Sequence, residues 1–232
     1  MTMFLSCLAG AILLAIYIAK CRKQRNIKGL LVKGFISVSY ILTAAFATFS
    51  NPENYFFGIL VIIAGVLGLK GDIYLDQKYL YPEHKDDYLK IGFICFGIGH
   101  IFYIWALYTM VDLTMIERLI PLAFGVITVV FNLIMEKPTR QHFGKYKSYV
   151  CIYGLVLGYT TALATLIYYK TGDTYALVFA LGGLSFIVSD VELSQMYFAE
   201  GKNNSVRFTI NIITYYLAQF LIALTPAFIG ID

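Results

Sequence analysis

The sequence predicts an all-α bundle of eight membrane-spanning helices, and three observations predict it. Of 232 residues, 59% are hydrophobic and only 14% are charged. A soluble domain carries roughly a quarter charged residues. Apolar runs recur at roughly 3–19, 30–49, 55–75, 91–110, 119–135, 149–169, 174–194 and 207–228. Most approach the ~20 residues that cross a bilayer as helix. The third observation is charge: once the segments alternate across the membrane, every one of the 18 Lys and Arg except Arg118 and Lys170 falls on one side. That bias makes the basic side cytoplasmic and places the N-terminus and C-terminus outside. The expectation is one transmembrane domain over 1–232, in a bacterial cytoplasmic membrane.

Each segment has its own punctuation. No basic residue precedes the first run, and the cluster Lys20–Lys28 follows it. That is the order of an anchor rather than a cleaved leader. Asn51-Pro52-Glu53-Asn54 turns the chain between the second and third helices. Tyr81-Pro82-Glu83 breaks it after the third. Lys137-Pro138 ends the fifth, because proline disfavours helical geometry in the residue before it. Gly201-Lys202-Asn203-Asn204-Ser205 is the last basic-side loop. The four cysteines, Cys7, Cys21, Cys95 and Cys151, form no CxxC pair, so neither a zinc site nor a disulfide framework is expected. The net charge of +4 lies in short loops and is not a nucleic-acid signal.

Two of the runs carry an acid. Asp72 lies near the basic end of the third segment and Asp190 at similar depth in the seventh. An ionisable group inside a spanning segment costs at least ~2.5 kcal/mol on insertion scales, which makes it a functional candidate. Gly58, Gly65, Gly68 and Asp72 share one face. So do Gly183, Phe186 and Asp190, and small residues let membrane helices approach closely. His100 lies near mid-membrane on a stripe with Phe96 and Tyr103. Asn211, Tyr215 and Gln219 repeat every four residues and stack on one face of the eighth helix. These polar groups converge on the basic-side half of the bilayer. The two acids are expected to face one cavity there.

Two carboxyls in a low-dielectric pocket do not titrate alike, so one can stay protonated while the other is ionised. Such a pair suits cleavage of acetal-like bonds through an oxocarbenium-like state. One carboxyl donates a proton, and the other steadies the cation or activates water. His100 can tune the pair or relay protons, and Tyr and Gln side chains can orient a polar head group. Lys33 is expected to snorkel to the interface, Glu192 to point away from the site, and Asp76, Asp86 and Asp87 to be solvated charges. Ser189 precedes Asp190 but has no neighbouring His in sequence, and no GxSxG, HExxH or Walker loop is present. A proton-coupled small-solute transporter and a non-catalytic lipid-binding membrane protein stay open on the residues alone.

Four short stretches fall in an ordered series. They are Gly71-Asp72-Ile73-Tyr74-Leu75, Phe96-Gly97-Ile98-Gly99-His100-Ile101-Phe102-Tyr103, Gly182 to Asp190, and Thr214-Tyr215-Tyr216-Leu217-Ala218-Gln219. Together they resemble the Gly-Asp, His-x-x-Tyr, Ser-Asp and Tyr-x-x-Ala-Gln motifs of the YhhN-type lysoplasmalogenase family. The chain departs from that pattern at Lys33-Gly34, where the family often has Lys-Pro, at Lys70 before Gly71, and around Tyr153. The resemblance implies an eight-helix membrane hydrolase acting on the vinyl ether of lysoplasmalogens, with no metal or organic cofactor. It implies Asp72 and Asp190 as the catalytic pair. Lys33, His100, Tyr103, Ser189, Tyr215 and Gln219 would support the pair or bind substrate. The implied partners are this lipid substrate and the surrounding membrane lipids.

Overall fold

The computed structural model describes residues 1–21 and 26–231. The basic residues Arg22, Lys23 and Arg25 of the first turn lie outside the described residues. Eight helices follow in order: α1 Thr2–Ile16, α2 Ile27–Ser50, α3 Tyr55–Leu80, α4 Lys85–Tyr108, α5 Met115–Met135, α6 Lys147–Thr171, α7 Thr174–Phe198 and α8 Ser205–Leu224. The last turn of α1 widens into a π-helical turn, Tyr17–Cys21. All eight are long and apolar enough to cross a membrane.

Several helices outrun their apolar runs. α3 continues to Leu80, α4 begins at Lys85, and α7 continues to Phe198. The added turns are amphipathic and carry charge at the bundle end, so hydropathy alone stops short of them. Their backbones nevertheless continue the helical hydrogen bonding that an apolar medium demands. The ends are closed locally. The Asn26 side chain accepts from the Gly29 N–H, and Asn204 accepts from the N–H groups of Val206 and Arg207. Thr114 and Glu117 form a reciprocal capping box at the start of α5. Each such cap contributes about 1 kcal/mol. Within the spans, hydroxyls turn back onto their own helix, as Thr161 does to the Leu157 carbonyl.

Most neighbours in the chain pack together, but α4 packs on α6 across α5 and α2 packs on α8, so that α2, α3, α4, α6, α7 and α8 form the inner bundle. α1 rests mainly on α2 and α5 mainly on α6, both at the periphery. α5 therefore turns Leu119, Ile127, Val130 and Ile134 outward as exposed side chains. This is the surface expected of a helix in contact with lipid tails. Glycines set the close approaches inside. A Cβ on Gly183 of α7 would meet Thr161 Oγ1 of α6 at 2.6 Å, and one on Gly71 of α3 would meet the Phe96 ring of α4 at 2.7 Å.

The two ends of the bundle differ. One end joins α3 to α4, α5 to α6 and α7 to α8, and carries the pairs Lys145–Asp86, Lys147–Glu136 and Arg207–Glu192. Glu192 thus points away from the interior, as its sequence position implied. Asp86 is tied to Lys145 and Tyr146 rather than left as a free solvated charge. At the other end, Asn51 donates to the Ile229 carbonyl at 2.8 Å, and Lys170 pairs with Glu117.

Candidate functional site

Asp72 sits on the inner face of α3 and is 3% exposed. Three groups from two other helices converge on it. The Lys33 ammonium of α2 lies 3.2 Å from Oδ1. Ser37, one turn along α2, donates to Oδ2 at 2.8 Å, and Tyr215 of α8 donates to the same oxygen at 2.8 Å. Behind Tyr215 the chain continues. Gln219 Nε2 donates to the Tyr215 hydroxyl at 3.1 Å, and the Tyr103 hydroxyl donates to Gln219 Oε1 at 3.2 Å. The four-residue spacing of Asn211, Tyr215 and Gln219 accounts for this. All three are buried on the α8 face turned to α3 and α7.

Lys33 does not snorkel. It is 7% exposed, and its ammonium is shared between Asp72 and Asp76 at 3.2 Å each. The interior carboxylate outcompetes the interface because it supplies a charged partner at hydrogen-bonding distance in a low-dielectric medium. Asp76 is likewise not a solvated loop charge. It lies one turn past Asp72 on α3, pairs with Lys33 and lines the interior cavity.

Asp190 of α7 is half-buried and has a much simpler setting. The Tyr153 hydroxyl of α6 donates to its Oδ2. No cation pairs with it among the described residues. Tyr153 was not a site candidate at the sequence level, where the sixth helix around it departs from the family pattern. Ser189 is fully buried and accepts from Asn211 Nδ2 at 2.9 Å. That contact joins α7 to α8 between the two acids.

Asp72 and Asp190 line one cavity of about 210 Å³, together with Ser189, Asn211, Tyr153 and Tyr215. The rest of its wall is mostly apolar and includes Leu75, Phe93, Phe96, Leu157, Ile187 and Leu193. α5 contributes Phe131, which lines the cavity and is also exposed on the outside of the bundle. Phe131 is thus the wall between the apolar chamber and the exposed face of α5. His100 and Tyr103 are buried behind the wall rather than in it. The His100 ring makes edge contacts with Tyr103, Tyr153 and Phe186. Its Nδ1 has no hydrogen-bond partner among the described residues.

At the basic end, the segment between α5 and α6 crosses the cavity as a strap. The His142 N–H donates to the Phe198 carbonyl at 2.8 Å, and Gln141 bridges to Ala199. Ser194 donates to Gln141 Oε1. Glu136 anchors the strap base. The Phe143 N–H and then the Lys147 ammonium hold its carboxyl below the usual carboxylate range.

A helical membrane bundle enclosing an acid-lined, largely apolar cavity is the class of protein that this geometry defines. The sequence model of the YhhN family matches residues 29–225, and the chain belongs to that family. The matched span takes in α3 to α8 and nearly all of α2, and therefore every side chain around the two acids. No curated protein and no solved structure matches the chain.

Proposed function

We propose that the protein is a membrane hydrolase that cleaves the vinyl ether of lysoplasmalogens to a fatty aldehyde and a glycerophospho-head group. One observation carries the reading: two carboxyls with unlike surroundings face the same apolar cavity. Asp72, with an ammonium and two hydroxyl donors on it, is the ionised partner. Asp190, with one hydroxyl and no cation among the described residues, is the proton donor. Unlike environments are how one pair of acids takes two roles.

The steps follow from that assignment. Asp190 gives its proton to the second carbon of the alkenyl chain, whose π electrons form the new C–H bond. This leaves an oxocarbenium ion at the first carbon and a carboxylate on Asp190. The Asp72 charge steadies the cation across the cavity, where few water dipoles compete. Water adds to the first carbon and returns a proton to Asp190, giving a hemiacetal. The hemiacetal loses its hydroxyl proton as its ether oxygen gains one. The C–O bond breaks, and aldehyde and glycerol hydroxyl leave. Protons balance over the cycle, and one water is consumed.

An ester would call for a nucleophile and a group to stabilise an oxyanion. Ser189 is a poor nucleophile here, since its oxygen already accepts from Asn211 and no base is bonded to it among the described residues. The family membership and the apolar wall support a single-chain lipid. The basic end is assigned to the cytoplasm on the charge bias of the loops. The test offers purified protein the 1-alkenyl, 1-acyl and 1-alkyl lyso lipids at matched chain length. Aldehyde is expected from the first alone. Comparable fatty acid from the acyl lipid would overturn the acid-pair mechanism.

A further inference from the structure

We propose that the strap end of the cavity is the seat for the phosphate of a lysophospholipid head, with Lys202 and Gln195 as its anchors. This rests on reading the cavity as a lysoplasmalogen site and fixes which way round the lipid lies in it.

Four polar residues of the cavity lining are gathered by hydrogen bonds to Gln141 and Lys202. Thr139 and Gln141 of the strap and Ser194 and Gln195 of α7 line the same end. Ser194 lies one turn beyond Asp190, about 6 Å along the helix axis. Three glycerol carbons separate the ether oxygen of such a lipid from its phosphate oxygen, a span comparable to one turn. A vinyl ether held at Asp190 therefore brings the phosphate to Ser194 and Gln195. The apolar wall, Phe131 included, is left for the tail.

The groups at that end suit an anion, with Lys202 just behind the lining on Thr139 and Gln195. Gln195 is 5% exposed and lines the cavity. Its Oε1 accepts from the Lys202 ammonium at 2.8 Å, and its Nε2 makes no hydrogen bond among the described residues. The Lys202 ammonium also donates to the Thr139 carbonyl at 2.7 Å. Both of these partners are neutral oxygens, so the positive charge is held at the strap without an acid to cancel it among the described residues. Of the three acids that line the cavity, Asp72 and Asp76 share the Lys33 cation, and Asp190 is the proton donor of the reading above. A fixed cation beside a buried amide donor is a phosphate-binding pair.

The experiment measures binding and turnover separately. Binding uses two uncleavable probes of equal chain length, a 1-alkyl-glycero-3-phosphocholine and the 1-alkyl-glycerol that lacks the phosphate. In Lys202→Gln, the phosphate-bearing probe is expected to bind about tenfold more weakly. The alkylglycerol is expected to keep its affinity, which also shows that the strap and cavity are intact. Lys202→Arg keeps the cation and is expected to restore the phosphate preference. In turnover of the 1-alkenyl lyso lipid, Lys202→Gln raises KM and leaves kcat nearly unchanged. Equal weakening of both probes would make Lys202 a strap fastener and overturn the proposal, as would no change in either. Inorganic phosphate is the third probe. Binding as tight as that of the lipid would make this a free-anion site instead. The binding arms need no catalysis, so an absence of aldehyde would refute the hydrolase reading while leaving the phosphate seat decided on its own data.

Discussion

Asp72 and Asp190 are alike in sequence and unlike in structure. Each follows a small residue, lies toward the basic end of an odd-numbered helix and faces the same cavity. Around Asp72 the bundle supplies Lys33, Ser37 and Tyr215, and a second layer of Gln219 and Tyr103 holds Tyr215. Around Asp190 it supplies Tyr153 alone among the described residues. The same side chain meets an ammonium and two hydroxyl donors in one place and a single hydroxyl donor in the other. The difference is made by neighbours on other helices, not by the local sequence.

The sharpest way to break the comparison is to neutralise each acid. Asp190→Asn removes the proton donor and is expected to lower aldehyde release by about 10³-fold or more. Asp72→Asn is expected to do the same by removing the counter-charge. Detergent-solubilised elution profiles and helical content should stay near wild type, because Lys33 keeps Asp76 as a partner in the second variant. Near-normal rates in both would make the pair structural. Lys33→Met tests the ion pair from the other side. It leaves Asp72 buried without its cation, so it should cost about 3–5 kcal/mol in unfolding free energy. Combining it with Asp72→Asn should recover most of the stability but not activity, since the fully buried charge is relieved and Asp76, the other partner of Lys33, is partly exposed.

Tyr153→Phe sharpens the comparison at Asp190. The ring and its contact with His100 remain, and only the hydroxyl is lost. The expected effect is about tenfold on kcat, the scale of one hydrogen bond to a reacting carboxyl. Tyr215→Phe removes one of three donors to Asp72 and should cost less. If Tyr215→Phe is the more damaging, the roles of the two acids are exchanged.

How much of this was legible in the chain depends on the interaction. The acids were visible because a carboxyl in an apolar run stands out against its own segment. The α8 face was visible because a spacing of four is a property of one helix. Lys33–Asp72 joins α2 to α3, and Tyr153–Asp190 joins α6 to α7. A pairing between helices leaves no period in either one. Tyr153 is also one of 19 tyrosines, so its type carried little information. Lys33 was misread because its position near a helix end favours snorkelling until a partner in the interior is known. The strap was read only as a turn at Pro138. Its polar residues Thr139 and Gln141 gain meaning from α7, which lies far along the chain.

The glycines give the smallest effects, and they separate packing from motif. Gly68 and Gly97 both sit mid-helix near the site residues. A Cβ on Gly68 would lie 2.7 Å from Gln219 Nε2 and 3.0 Å from the Tyr40 hydroxyl. Gln219 cannot swing aside without giving up its bonds to Tyr215 and Tyr103. Gly68→Ala is therefore expected to cost about 1–3 kcal/mol in unfolding free energy, with some loss of rate through Tyr215. Gly97 belongs to the stretch that ends in His100 and Tyr103, and sequence alone would weigh it equally. A Cβ there meets nothing within 4 Å. Removing a glycine from a helix interior reduces the freedom of the unfolded chain, a gain of up to about 1 kcal/mol. Gly97→Ala should thus be neutral or slightly stabilising, with aldehyde release unchanged. The measurement is a thermal unfolding comparison of the two alanine variants in one detergent. If Gly97→Ala destabilises as much as Gly68→Ala, that face of α4 is packed against something in the membrane, and its glycine serves contact rather than chance.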